Sequence, residues 1–205
     1  MEITEFLELP KGFYEIERPK SPVDAVAYGY MSNQAEVNLL AYPIKRVQAM
    51  PYDDVELLIL RIHQTLEDTQ GLVEVGNGIT DDGNRYIYSI LKSILDSGGT
   101  SYKVKLHIDL YDCCLELLGT FNEIDNIGRR EREIREVLDQ KGWLNRNGNQ
   151  KWNADPYSSN YEHPILRNFS EKEGFDKHYP GHPLSILRKM VKTVVHESNF
   201  ELFAR

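Results

Sequence analysis

Between residues 102 and 110 the chain alternates without a break. Tyr102, Val104, Leu106, Ile108 and Leu110 are apolar, and Ser101, Lys103, Lys105, His107 and Asp109 stand between them. A period of two puts the first set on one face of a β-strand and the second on the other. The apolar face is predicted buried and the other wet, with Lys103 and Lys105 reaching solvent. No helix could hold Val104, Leu106 and Ile108 on one face. Turn signals nearby, Asp82-Gly83 and Ser97-Gly98-Gly99, set this strand in an antiparallel meander.

The same pattern reading extends both ways. Short strands are predicted at 13–19, 24–32 and 36–43, with Asn33-Gln34 joining the last two as a hairpin and Pro43 closing the section. Then the period changes. Val55, Leu58, Ile59, Ile62 and Leu66 follow helical spacing. A helix is predicted over 53–70, capped by Asp53 or Asp54 and stopped by Gly71. Strands follow at 72–80, 85–95, 101–110 and 113–121. Near Tyr111-Asp112 the apolar phase slips from even to odd positions. A bulge in one long strand is the simplest account, and a tight hairpin is the alternative. A second helix is predicted at 127–141, capped by Asp125 or Asn126, with Ile134, Val137 and Leu138 inward and Gly142 at its end.

The last sixty residues differ. The stretch 145–150 is polar and turn-like. Trp152, Tyr157, Tyr161, Phe169, Phe175 and Tyr179 are scattered without period. The segment is too apolar for a free tail and is expected to wrap the main domain. A third helix at 184–197, after Pro183, carries the stripe Leu184, Leu187, Val191 and Val194. The fold class is therefore α+β: a twisted, mainly antiparallel sheet flanked by helices, with a C-terminal irregular wrap and helix. Residues 1–142 form the sandwich and 143–205 an extension packed on it.

Composition narrows the partners. The formal net charge is -8 over 205 residues, which disfavours nucleic acid and anionic membranes as main partners. Glu2, Glu5 and Glu8 stand where a secretory leader would be basic, and no apolar run approaches bilayer length, so a cytoplasmic protein is expected. The two cysteines, Cys113 and Cys114, are adjacent and point to opposite faces of a strand, one packed and one half-exposed. No metal or cofactor is expected.

Three strands, a helix, a run of antiparallel strands and a final helix resemble the Mog1/PsbP-like α/β/α sandwich over about 13–142. The pieces that carry the likeness are Lys11-Gly12-Phe13-Tyr14, Leu39-Leu40-Ala41-Tyr42-Pro43 and Gly119-Thr120-Phe121-Asn122-Glu123. The resemblance implies a binding or accessory protein without naming its partner. The pieces Trp152…Asp155-Pro156-Tyr157 and His182-Pro183-Leu184-Ser185 resemble those of bacterial proteins of uncharacterised function.

Two groups stand out as candidate binding residues. Arg129, Arg130 and Arg132 open the second helix, where cations oppose the dipole, so they either hold an anion or pair with Glu131, Glu133 and Glu136. Trp152 and Tyr157, in the irregular segment, serve either a binding face or the pinning of the loop to its own domain. Histidines His163, His178 and His182 lie among carboxylates, but without metal or catalytic spacing. The leading expectation is a non-catalytic protein-interaction module with a protein partner. The alternative is a small hydrolase-type enzyme with its site around those histidines.

Overall fold

A computed structural model describes residues 2–17, 22, 24–46, 50–110, 112–144 and 152–202. The turn-like reading of 145–150 lies outside them. The fold is α+β. Seven strands, β1 (Tyr14–Ile16), β2 (Val26–Met31), β3 (Ala35–Lys45), β4 (Gln70–Ile79), β5 (Arg85–Ile94), β6 (Thr100–Asp109) and β7 (Cys113–Glu123), form one sheet. Their order is β1-β2-β3-β7-β6-β5-β4, with every pairing antiparallel. The helices are α1 (Val55–Thr65), α2 (Arg129–Gln140) and α3 (Pro183–Glu197).

The apolar face of β6 is realised as read, but of the other face only the lysines are wet: Ser101, His107 and Asp109 are buried as well. Val104, Leu106 and Ile108 are buried in the main core, and Lys103 and Lys105 are exposed. The phase slip is a tight hairpin and not a bulge. Leu106 pairs with Leu117 and Ile108 with Leu115, while the Leu110 N–H donates to the Cys113 carbonyl. A two-residue connection brings even positions of β6 beside odd positions of β7 on the same face.

The two faces of this sheet are covered unequally. On one face lies α3, whose Leu184, Leu187, Met190, Val191 and Val194 interlock with Val37, Leu39, Val104, Leu106, Leu117 and Phe121. Ile3, Phe6 and Phe200 close its end. The C-terminal helix thus supplies one layer of the main core. On the other face, α1 is the cover; it packs against β4 and buries none of its side chains fully. Tyr52, with Met50 and Leu58, covers Ile87 and Cys114 at one end.

Several boundaries differ from the sequence reading. Pro43 does not end β3, which continues to Lys45. Beyond Ala41, β3 has lost its β2 partner and pairs only with β7, so a residue lacking an N–H is tolerated there. Helix α1 stops at Thr65, and its cap is Asp54, accepting from the Leu57 N–H at 2.9 Å. Gly71 is no helix stop: it sits in β4, where a Cβ would come within 2.7 Å of the Ile165 carbonyl oxygen. Strand β1 is shorter than expected. Helix α2 is capped by Gly128 at φ 67°, which accommodates the left-handed turn, in place of Asp125 or Asn126. Its inner face is Arg130 and Ile134, and Val137 is exposed.

Candidate functional site

The uneven cover leaves a groove of about 880 Å³ on the α1 face of the sheet. Register explains its floor. Ala27, Leu40, Leu118, Lys105 and Ser89 are paired across five strands and share one side. Parallel rows flank them: Asn38, Thr120, Lys103 and Leu91 on one side, Tyr42, Glu116, His107 and Ile87 on the other. Helix α1 supplies a wall through Leu58, Ile62 and Arg61. Leu40, Leu91 and Leu118 are only half-buried. The groove spans four strand spacings from β2 to β5, roughly 19 Å.

One end of the floor is polar and internally bonded. Cys114 Sγ lies 3.0 Å from the Tyr52 hydroxyl and 3.6 Å from His107 Nδ1. His107 Nε2 lies 3.1 Å from Glu116 Oε2, but is buried and out of line for any hydrogen bond. Glu116 accepts from the Tyr42 hydroxyl and pairs with Lys105 at 3.2 Å. Burial pushes the Cys114 thiol up to about 11, a rise that the Tyr52 hydrogen bond only partly opposes. Burial also pushes the His107 imidazole down to about 4, against the pull of Glu116. Both groups are neutral at pH 7. A thiol–imidazole–carboxylate series of this kind does not make a nucleophile, because attack needs the thiolate and an open approach, and Cys114 has no exposed surface. His107 was expected on a wet face; it is buried beside Cys114 at the end of the groove.

The candidate residues named from the sequence lie elsewhere. Arg130 is buried among α2, α3 and the wrap, donating to the Ser170 carbonyl, Ser185 Oγ and the Lys172 carbonyl, and pairing with Asp176 at 2.9 Å. Arg129 pairs with Glu133 at 2.7 Å on the surface, and Arg132 is exposed. The three therefore do not make one surface cluster. At the N-terminus of α2 the Gly128 N–H donates to Glu123 Oε1 at 2.9 Å, and the Asp176 that pairs with Arg130 also pairs with Arg188, which joins Glu74.

Trp152 retains almost no exposed surface, donates to Glu131 at 3.4 Å, and lies near Phe169 and under Arg135. Tyr157 guards the β4 edge. Its hydroxyl accepts from the Val75 N–H at 2.6 Å and donates to the Val75 carbonyl at 3.0 Å. Arg167 donates to the Val73 carbonyl nearby. These bonds occupy an edge that would otherwise offer free strand groups.

The three histidines fall in separate settings. His163 stacks on Tyr161, which stacks on His63, and His63 pairs with Asp155 at 2.9 Å. His182 caps α3, accepting from the Leu184 N–H, and meets Tyr102 edge-on. Burial, with Arg130 and Arg188 adding, drives its imidazole down to about 3. His178 is exposed at the end of a short 3-10 helix. Among the described residues, no group of three or more His, Cys, Asp or Glu is arranged to hold a metal ion, and no helix is long and apolar enough to cross a membrane.

No family model matches this chain, and no curated protein matches it significantly. Among solved structures, it is similar to PA94 from Pseudomonas aeruginosa, described as a protein of unknown function and a candidate regulator. The identity is 10% and the TM-score 0.33, over 65% of this chain and 81% of that one.

The groove itself carried no local sequence signal. Its floor brings together residues as distant as Leu40 and Leu118, and along each strand these positions read as the wet face. Leu40, Leu91 and Leu118 on that second face were the available hint.

Proposed function

We propose that the protein is a non-catalytic interaction module whose docking face is the groove under α1, and that its partner presents an amphipathic helical segment. The supporting observation is the groove's floor. It is apolar through Ala27, Leu40, Leu91 and Leu118, and the five strands from β2 to β5 that form it are interior to the sheet, with Ile16 of the edge strand β1 at its rim. Those strands have spent their backbone donors and acceptors on each other. A peptide entering the groove must satisfy its own backbone groups, and a helix does so. At 1.5 Å per residue, the roughly 19 Å span takes a helix of about 13 residues. The half-buried leucines and the apolar side of α1 form a contiguous surface of the kind that marks an interaction site.

The sandwich likeness to Mog1/PsbP-like proteins, a bacterial source and a cytoplasmic location belong to the same reading. All fit an acidic accessory protein that works by binding. The test is position-specific photo-crosslinking in the native host, with benzoylphenylalanine at Leu91 or Leu118, and at exposed Lys189 on α3 as control. A partner-sized protein adduct from the groove positions and not from Lys189 is expected. Adducts from Lys189 alone, or none from the groove, would overturn the assignment.

A further inference from the structure

We infer that the groove selects a helical segment bearing a carboxylate within its apolar face, seated on the row Lys103, Lys105 and His107. This rests on the groove being the docking face, and adds what the occupant must carry.

The row follows from the alternation that defines β6. Lys103, Lys105 and His107 are at i, i+2 and i+4, so all three project to the groove side at steps of about 6.7 Å. All three line the groove. Each presents nitrogen donors. The nearest acid, Glu116, is held by the Tyr42 hydroxyl and by Lys105. Lys103 makes no ion pair among the described residues. Glu17 lies with Ile16 on β1's side of the groove. The row is thus a local surplus of donors in a chain of net charge -8.

His107 supplies the independent observation. Its ring is more than nine-tenths buried, yet Nε2 has no hydrogen-bond partner. Cys114 Sγ lies 3.6 Å from His107 Nδ1 and donates to the Leu115 carbonyl at 3.7 Å. Nε2 lies 3.1 Å from Glu116 Oε2 but out of line with it, so it makes no hydrogen bond at the groove's polar end. Buried polar groups in folded proteins are paired as a rule, and an unbonded ring nitrogen beside the ammonium groups of Lys103 and Lys105 points to a polar group that arrives from outside. A carboxylate suits both: it accepts from Nε2 in the tautomer protonated there, and is charge-matched to Lys103 and Lys105. An amide would meet only the hydrogen bond, and an ammonium would be repelled.

The test uses the full chain and fluorescein-labelled 14-residue amphipathic peptides, identical except for one central residue of the leucine face: Glu, Gln or Lys. Anisotropy should show the Glu peptide bound about tenfold tighter than the Gln peptide, and the Lys peptide weakest. The Glu preference should shrink in Lys103→Ala, a surface change that leaves the fold intact. In the wild type, the His107 Nε2 resonance should shift with the Glu peptide and not with the Gln peptide. Equal binding of Glu and Gln peptides, lost in Leu118→Arg, would overturn the carboxylate seat and leave the docking face standing. Binding unaltered by Leu118→Arg, or no peptide bound at all, would overturn the docking face itself. Uptake of sodium myristate with no peptide bound would overturn both and point to an acyl ligand.

Discussion

Replacing Leu187 by Ala should hurt this protein far more than replacing Leu58 by Ala. Both leucines lie on helices that face the sheet. Leu187 is fully enclosed between α3 and the sheet. Its loss removes buried methyl groups and leaves a cavity that close-packed neighbours fill only in part, a cost of about 2–5 kcal/mol. Leu58 is half-buried on a helix with no fully buried side chain, beside an open groove. Truncation there forfeits part of one transfer free energy and creates no closed cavity, so about 1 kcal/mol is expected. For a chain of this length each kcal/mol lowers Tm by about 2–4 °C, so Leu187→Ala should melt roughly 4–20 °C below the wild type and Leu58→Ala within about 4 °C of it. Urea unfolding with unchanged slope would give the two free energies directly. Equal losses at the two positions would refute the unequal cover of the two sheet faces.

Two further outcomes follow. Tyr157→Phe removes both bonds to Val75 and should cost about 1 kcal/mol while speeding amide exchange in β4; unchanged exchange at Val75 would remove its role as an edge guard. His107 and His182 are held neutral by burial, at about 4 and about 3 against an ordinary 6.5. Below pH 6.5 the unfolded chain takes up protons that the folded chain refuses, so stability is lost as pH falls toward the folded values, with a slope approaching about 1.4 kcal/mol per pH unit for each histidine. Glu123, raised by burial, acts in the opposite sense, near and above its ordinary 4.5. His182→Asn keeps a capping acceptor and should flatten the slope between pH 6.5 and 5; an unaltered slope would contradict the assignment.

What was legible in the sequence was local. The alternation of β6, the stripe of α3 and the phase slip at 111–112 each encode a face through spacing alone, and each is realised, the slip as a hairpin. What was not legible depends on pairings far apart in the chain. Gly71 read as a helix stop because the close approach of Ile165 is a tertiary fact. Arg130 read as a surface charge, but Ser170, Ser185 and Asp176 fold over it. Tyr157 read as a candidate contact residue, while its hydroxyl closes an edge 82 residues away. The groove has the same origin: β3 lies against β7 across the chain, and the second face of each strand becomes a floor only when all five are side by side.

The most direct test of the docking face is methyl NMR on the full chain, with Ile, Leu and Met methyls labelled, titrated with the Glu-bearing amphipathic peptide. The account predicts shifts at Leu40, Met50, Leu58, Ile62, Leu91 and Leu118, which line the groove, and none at Leu184, Leu187 and Met190 on the α3 face. Shifts confined to the α3 face, or none at the groove, would contradict it.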